Sequence, residues 1–77
     1  ISMYPFNKEV KAPILGFIEN IQKHKNIKVV QSSTSTIVQG QFVDVMQSIQ
    51  ETISQCHDEF EMAAYVLKII PGYEALE

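Results

Sequence analysis

Apolar side chains along this chain recur with two different periods, and the order in which those periods follow one another sets out the elements. Ile1 to Tyr4 alternates apolar and polar-capable positions and stops at Pro5, whose missing N–H ends a sheet ladder, so a first strand is expected there. Ile14, Phe17, Ile18 and Ile21 then fall at i, i+3, i+4 and i+7, one stripe of a helix, with Lys11, Glu19, Asn20 and Lys23 turned away from it. Pro13 suits the first turn, where its lost donor costs nothing, so this helix is expected from Lys11 or Ala12 to about His24. Asn26 breaks the stripe, and Ile27 to Val30 predicts a short second strand with Ile27 and Val29 on one side and Lys28 and Val30 on the other.

The run Ser32-Ser33-Thr34-Ser35 favours a turn, because these side chains bond their own backbone, and a third strand follows from Thr36 to Gln41. Phe42, Met46, Ile49, Ile53 and Cys56 return to steps of four and three, a second helix with Asp44 in its first turn, where the dipole favours a negative charge. Asp58, Glu59 and Glu61 read as a solvated connection. Met62 to Ile70, rich in β-branched and aliphatic residues and closed by Pro71-Gly72, reads as a fourth strand. Tyr73 to Glu77 is expected as a short tail.

The order β-α-β-β-α-β predicts an α+β fold of the ferredoxin-like, split βαβ type over a single domain, residues 1–77: one antiparallel four-stranded sheet with both helices on the same face. Alternation then assigns Ile1, Met3, Val38, Gly40, Tyr65, Leu67 and Ile69 to the helix side and Ser2, Tyr4, Ser35, Ile37, Gln39, Val66, Lys68 and Ile70 to the open side. The open set mixes apolar and polar groups, as suits a sheet that packs partly on another copy and partly around a small polar ligand.

Bulk properties narrow the function classes. With 45% hydrophobic and 19% charged residues the chain is too apolar for a disordered segment, so folding is expected. A domain this small buries a modest share of its surface, which makes self-association an expectation, as a homodimer or homotetramer. The net charge of -3 has the wrong sign for binding phosphates, arguing against nucleic acid and anionic membrane surfaces. No apolar run approaches the length of a membrane span. The single Cys56 cannot form an internal disulfide and fits a reducing, cytoplasmic setting. Because the sequence opens in strand-like residues without a Met, a few leading residues are expected ahead of Ile1.

Chemistry-bearing arrangements are few. Adjacent Cys56 and His57 point about 100° apart on a helix and cannot form a dyad, so Cys56 reads as core. His24 and His57 fall at helix C-termini, where they complement the dipole. No spacing resembles a zinc or calcium site. Lys28 and Lys68 lie on edge strands, where lysine blocks unwanted pairing, and Lys68 also offers a contact for an anion. The Ser32 to Thr36 hydroxyls serve either a turn or a polar heterocycle, and Tyr4 either stacks on a ligand or fills a dimer seam.

Three segments together, Ile1-Ser2-Met3-Tyr4-Pro5, Ser35-Thr36-Ile37-Val38-Gln39-Gly40-Gln41-Phe42 leading into Val45-Met46, and Tyr65-Val66-Leu67-Lys68-Ile69-Ile70, resemble the YkoF-type thiamine-binding proteins. The resemblance implies units that pair sheet to sheet and bind thiamine, or its hydroxymethylpyrimidine part, without transforming it. In this sequence Ile37 stands where the family pattern has Gln, and Gln41 where it has an acid. Gln39, on the same face as Ile37 by alternation, offers an amide for a pyrimidine edge. The expected ligand-binding set is Ser2, Tyr4, Ser35, Thr36, Gln39 and Lys68, with no catalytic residue, metal or cofactor, because no nucleophile has a base beside it. Two rivals share the fold: a structural or regulatory homo-oligomer with no dedicated ligand, and a small dimeric α/β-barrel enzyme using Tyr4 or Lys68 as acid or base.

Overall fold

A computed structural model describes residues 1–32 and 34–73. Its elements run β1 (Ser2–Pro5), α1 (Lys11–Gln22), β2 (Ile27–Gln31), β3 (Thr36–Gly40), α2 (Phe42–Phe60) and β4 (Ala63–Val66), the β-α-β-β-α-β order of a ferredoxin-like α+β fold. Part of the Ser32–Ser35 turn, Ser33, and the tail beyond Tyr73 lie outside the described residues.

α1 ends at Gln22, short of the expected His24, and the two largest differences from the sequence pattern lie in α2 and β4. Asp58 and Glu59 are helical, forming the last turn of α2. The apolar stripe explains this, since Cys56 and Phe60 continue it at i+4 and leave the acids on the outer side. The helix stops at Glu61, whose φ of 69° turns the chain and whose N–H donates to the His57 carbonyl at 3.1 Å. The second difference is β4, which is strand only over Ala63–Val66 and not over the whole run Met62 to Ile70. A strand persists only as far as a partner supplies hydrogen bonds, and β1 pairs it from Pro5↔Ala63 to Ser2↔Val66.

The four strands form two antiparallel ladders, β1–β4 and β2–β3. They meet at one point. The Ile1 amino group donates to the Thr36 carbonyl at 2.7 Å, and the Thr36 N–H donates to the Ile1 carbonyl at 2.8 Å. This reciprocal exchange is the hydrogen-bonded pair of an antiparallel ladder, so the junction has the register of a β1–β3 pairing.

Both helices cover the same side. Phe17 and Ile21 of α1 pack with Ile49 and Cys56 of α2, and Met3, Val29, Val38, Tyr65 and Leu67 close on them from the strands. Tyr65 and Leu67 turn inward and Val66 outward as alternation expects, whereas Ile69, expected on the helix side, lies beyond β4 and is 49% exposed. The Phe17 and Tyr65 rings meet with centroids 5.9 Å apart and tilted planes. The buried Thr52 is partnered locally: its Oγ1 donates to the Ser48 carbonyl at 2.7 Å and lies 3.4 Å from His24 Nε2. His24 thus follows the C-terminus of α1 and ties it to α2.

Candidate functional site: the open sheet face

With both helices on one side, no described element lies over the other. Strand alternation turns Ser2, Tyr4, Ala64 and Val66 to this face from the β1–β4 ladder, and Lys28, Val30, Ile37 and Gln39 from the β2–β3 ladder. Large apolar groups stand well exposed here: Tyr4 at 56%, Val66 at 60% and Val30 at 48%. Cross-strand pairing sets Lys28 against Gln39, Val30 against Ile37 and Ser2 against Val66.

The residues expected to bind a ligand fall into separate groups. Ser2 and Ser35 flank the Ile1–Thr36 junction, and the Ser2 hydroxyl donates to the Thr34 carbonyl at 3.2 Å. Tyr4 lies three positions from Ile1 in one direction, while Gln39 lies three positions from Thr36 in the other. At about 3.3 Å per residue, Tyr4 and Gln39 are roughly 20 Å apart along the sheet. Lys68 is exposed just past the end of β4, on the Gln39 side of the junction. Thr36 does not join them: it is 6% exposed, and strand parity turns it inward with Val38.

The hydroxyl cluster is engaged in its own turn. The Ser32 N–H donates to the Ser35 carbonyl at 2.8 Å, and the Thr34 and Ser35 N–H groups donate to Ser32 Oγ at 3.4 and 3.2 Å. Ser35 Oγ lies 3.2 Å from Ser32 Oγ. Turn formation accounts for these side chains locally.

Beyond the junction the two ladders diverge around a cleft of about 930 Å³, bounded by β3 and by residues 67–70. Val45, Met46 and Ile49 of α2 line it, and so does Tyr73. Sequence reading placed Tyr73 in a tail. Pro71-Gly72 is the signal that brings it back, with Gly72 at φ 80° and the Tyr73 N–H donating to the Ile70 carbonyl at 3.3 Å.

Perturbed titrating groups lie off the open face. Burial raises the pKa of the Cys56 thiol, against the lowering effect of the Asn20 side-chain hydrogen bond. Burial also raises that of Tyr65, whose hydroxyl is buried and finds no partner among the described residues. Burial lowers the pKa of the Ile1 ammonium. The first two groups hold their protons more tightly folded than unfolded, so their stabilisation is complete below the unfolded pKa and lost as pH rises, from roughly pH 8.5 for the thiol. A denaturant midpoint measured at pH 7, 8.3 and 10 is expected to be lower at pH 10 than at 8.3. Cys56, 0% exposed, is expected to react with a thiol reagent only as fast as the protein unfolds.

Among the described residues no cluster of His, Cys, Asp and Glu is placed to hold a metal ion, and no helix is long and apolar enough to cross a membrane. The chain matches no protein-family model, no curated protein and no solved structure.

Proposed function

We propose that the chain is a non-catalytic binding module whose open face pairs with the same face of a second copy and holds thiamine, or its hydroxymethylpyrimidine part, between the two sheets. The observation that carries this reading is the composition of the uncovered face: exposed Tyr4, Val30 and Val66 supply apolar area for a partner, while Ser2, Gln39 and Lys68 supply polar contacts. Tyr4 and Gln39 of one protomer are too far apart to touch one small molecule. A two-fold pairing of equivalent faces whose axis runs across the strands near the Ile1–Thr36 junction removes that obstacle, because it sets Tyr4 of one copy at the level of Gln39 of the other, and each site then takes a stacking ring and an amide from different chains. An aminopyrimidine needs paired donors and acceptors, and a cationic thiazolium suits an acidic protein with aromatic surfaces. A reducing, cytoplasmic setting fits the unpaired Cys56.

Calorimetric titration with thiamine, alongside sedimentation of the free protein, tests the reading. Tyr4→Ala and Gln39→Ala are each expected to weaken binding about tenfold, the effect of losing roughly 1.4 kcal/mol of contact. Val66→Lys is expected to separate the pair and abolish binding with it. A pair that stays intact yet takes up neither thiamine nor hydroxymethylpyrimidine at millimolar concentration would sink the ligand and leave a purely structural oligomer.

A further inference from the structure

The apolar part of the open face does not stop where β1 and β4 stop. Two residues beyond the Tyr4↔Ala64 pair, the Phe6 N–H donates to the Met62 carbonyl at 3.1 Å, so Phe6 and Met62 keep the parity of that pair and turn to the open side. Both stand out into solvent, Phe6 at 65% and Met62 at 61%, and neither packs on the core cluster. At the opposite end of the same ladder, past Val66, Ile70 and Tyr73 are exposed as well, held in one turn by the Tyr73 N–H donating to the Ile70 carbonyl at 3.3 Å. The face therefore has two apolar ends, one on each side of the Ile1–Thr36 junction.

We infer that these ends anchor the self-pairing: Phe6 and Met62 of one copy seat on Ile70 and Tyr73 of the other, and the two-fold axis repeats the contact at the far end. This arrangement, which rests on the sheet-to-sheet reading, adds to it which way round the two copies lie and what holds them.

Size and register both favour a second copy as the occupant. A stable pair engages about 20 to 30 residues on each side. The paired strands turn only eight to the open face, so the contact must reach past the strand ends. Counted from the level of Ile1 and Leu67, Met62 lies five positions out in one direction and Ile70 three in the other. An axis across the strands at that level reverses direction along them, which brings Ile70 of one copy within two positions of Met62 of the other, about 7 Å along the strand. Apolar end then meets apolar end. An axis along the strands would instead set Phe6 and Met62 against the end that carries the polar turn between β2 and β3, leaving both apolar ends unmatched.

The test places Met62→Cys and Ile70→Cys together in the full chain and adds a bismaleimide whose span matches the roughly 10 Å between packed sheets. Cys56 is buried and does not compete. The double variant is expected to give a linked dimer and each single variant none, because the two copies of Met62 lie about 33 Å apart and the two of Ile70 about 20 Å. Within one chain the two positions are about 26 Å apart, so an internal link does not intervene. Phe6→Glu is expected to weaken self-association at least tenfold with the circular dichroism spectrum unchanged, since its ring lies outside the core. Linking by Met62→Cys alone, or a dimer in sedimentation that gives no link in the double variant, overturns the arrangement and leaves sheet-to-sheet pairing standing. A protein that sediments as a monomer overturns both. Neither readout uses thiamine, so the outcome is separate from the ligand titration.

Discussion

Ile21→Ala is expected to lower stability by about 2–5 kcal/mol, the range for truncating a large aliphatic side chain where the site cannot collapse. Ile21 is 0% exposed and packs with Phe17, Ile49 and Cys56, so the missing atoms leave a cavity walled by both helices. For a chain of this length the whole stability is roughly 4–12 kcal/mol. The variant is therefore expected to lose roughly a sixth or more of its urea midpoint and, at the lower end of that stability range, to be substantially unfolded at 25 °C. Ile21→Val, which removes one methylene, is expected to cost about 1 kcal/mol and keep the fold. Urea titrations followed by circular dichroism check both. A cost under 1 kcal/mol for the alanine variant would mean that α1 and α2 do not meet at Ile21.

Gly16→Ala is expected to destabilise, although helix propensity alone favours Ala over Gly by about 1 kcal/mol in a helix interior. Gly16 lies mid-way along α1, and a Cβ there would overlap the Phe60 ring from the last turn of α2. The ring must move, and Phe60 packs on the core cluster, so overpacking of about 1–3 kcal/mol outweighs the propensity gain. Phe60→Leu in the same chain removes the conflict, so the double variant is expected to be more stable than the sum of the two single changes implies. A double-mutant cycle measures that coupling. If Gly16→Ala raised the unfolding midpoint with Phe60 in place, the close approach of the two helices would be wrong.

Element order and facing were legible in the sequence because both rest on periodicity. Phe17 and Ile21 of the helical stripe and the Tyr65/Leu67 parity reappear as core contacts, and Ile18 of the same stripe is buried. What periodicity does not encode is register. Alternation put Tyr4 and Gln39 on one face, but their separation along it follows from the single Ile1–Thr36 pair, which no local pattern announces. The length of β4 depends in the same way on where its partner strand lies. Thr36 was grouped with its hydroxyl-bearing neighbours by composition, whereas strand parity sets it on the opposite side from Ser35. The longer reach of α2 was readable in hindsight from Phe60, four residues after Cys56, but the acidic pair between them suggested a loop.

The pairing of β1 with β4 bears on the order of folding. β2 and β3 are near neighbours in the chain and need only a short turn to meet, while Ser2 finds Val66 only when nearly the entire chain has been brought round. Closing the larger loop carries the greater entropy cost, so the hairpin and the α1–α2 contact are expected to form early and the β1–β4 ladder last. Until then Ala64, Tyr65 and Val66 of β4 have no strand beside them. That late-protected edge is where association between incompletely folded molecules is expected to begin during synthesis or refolding.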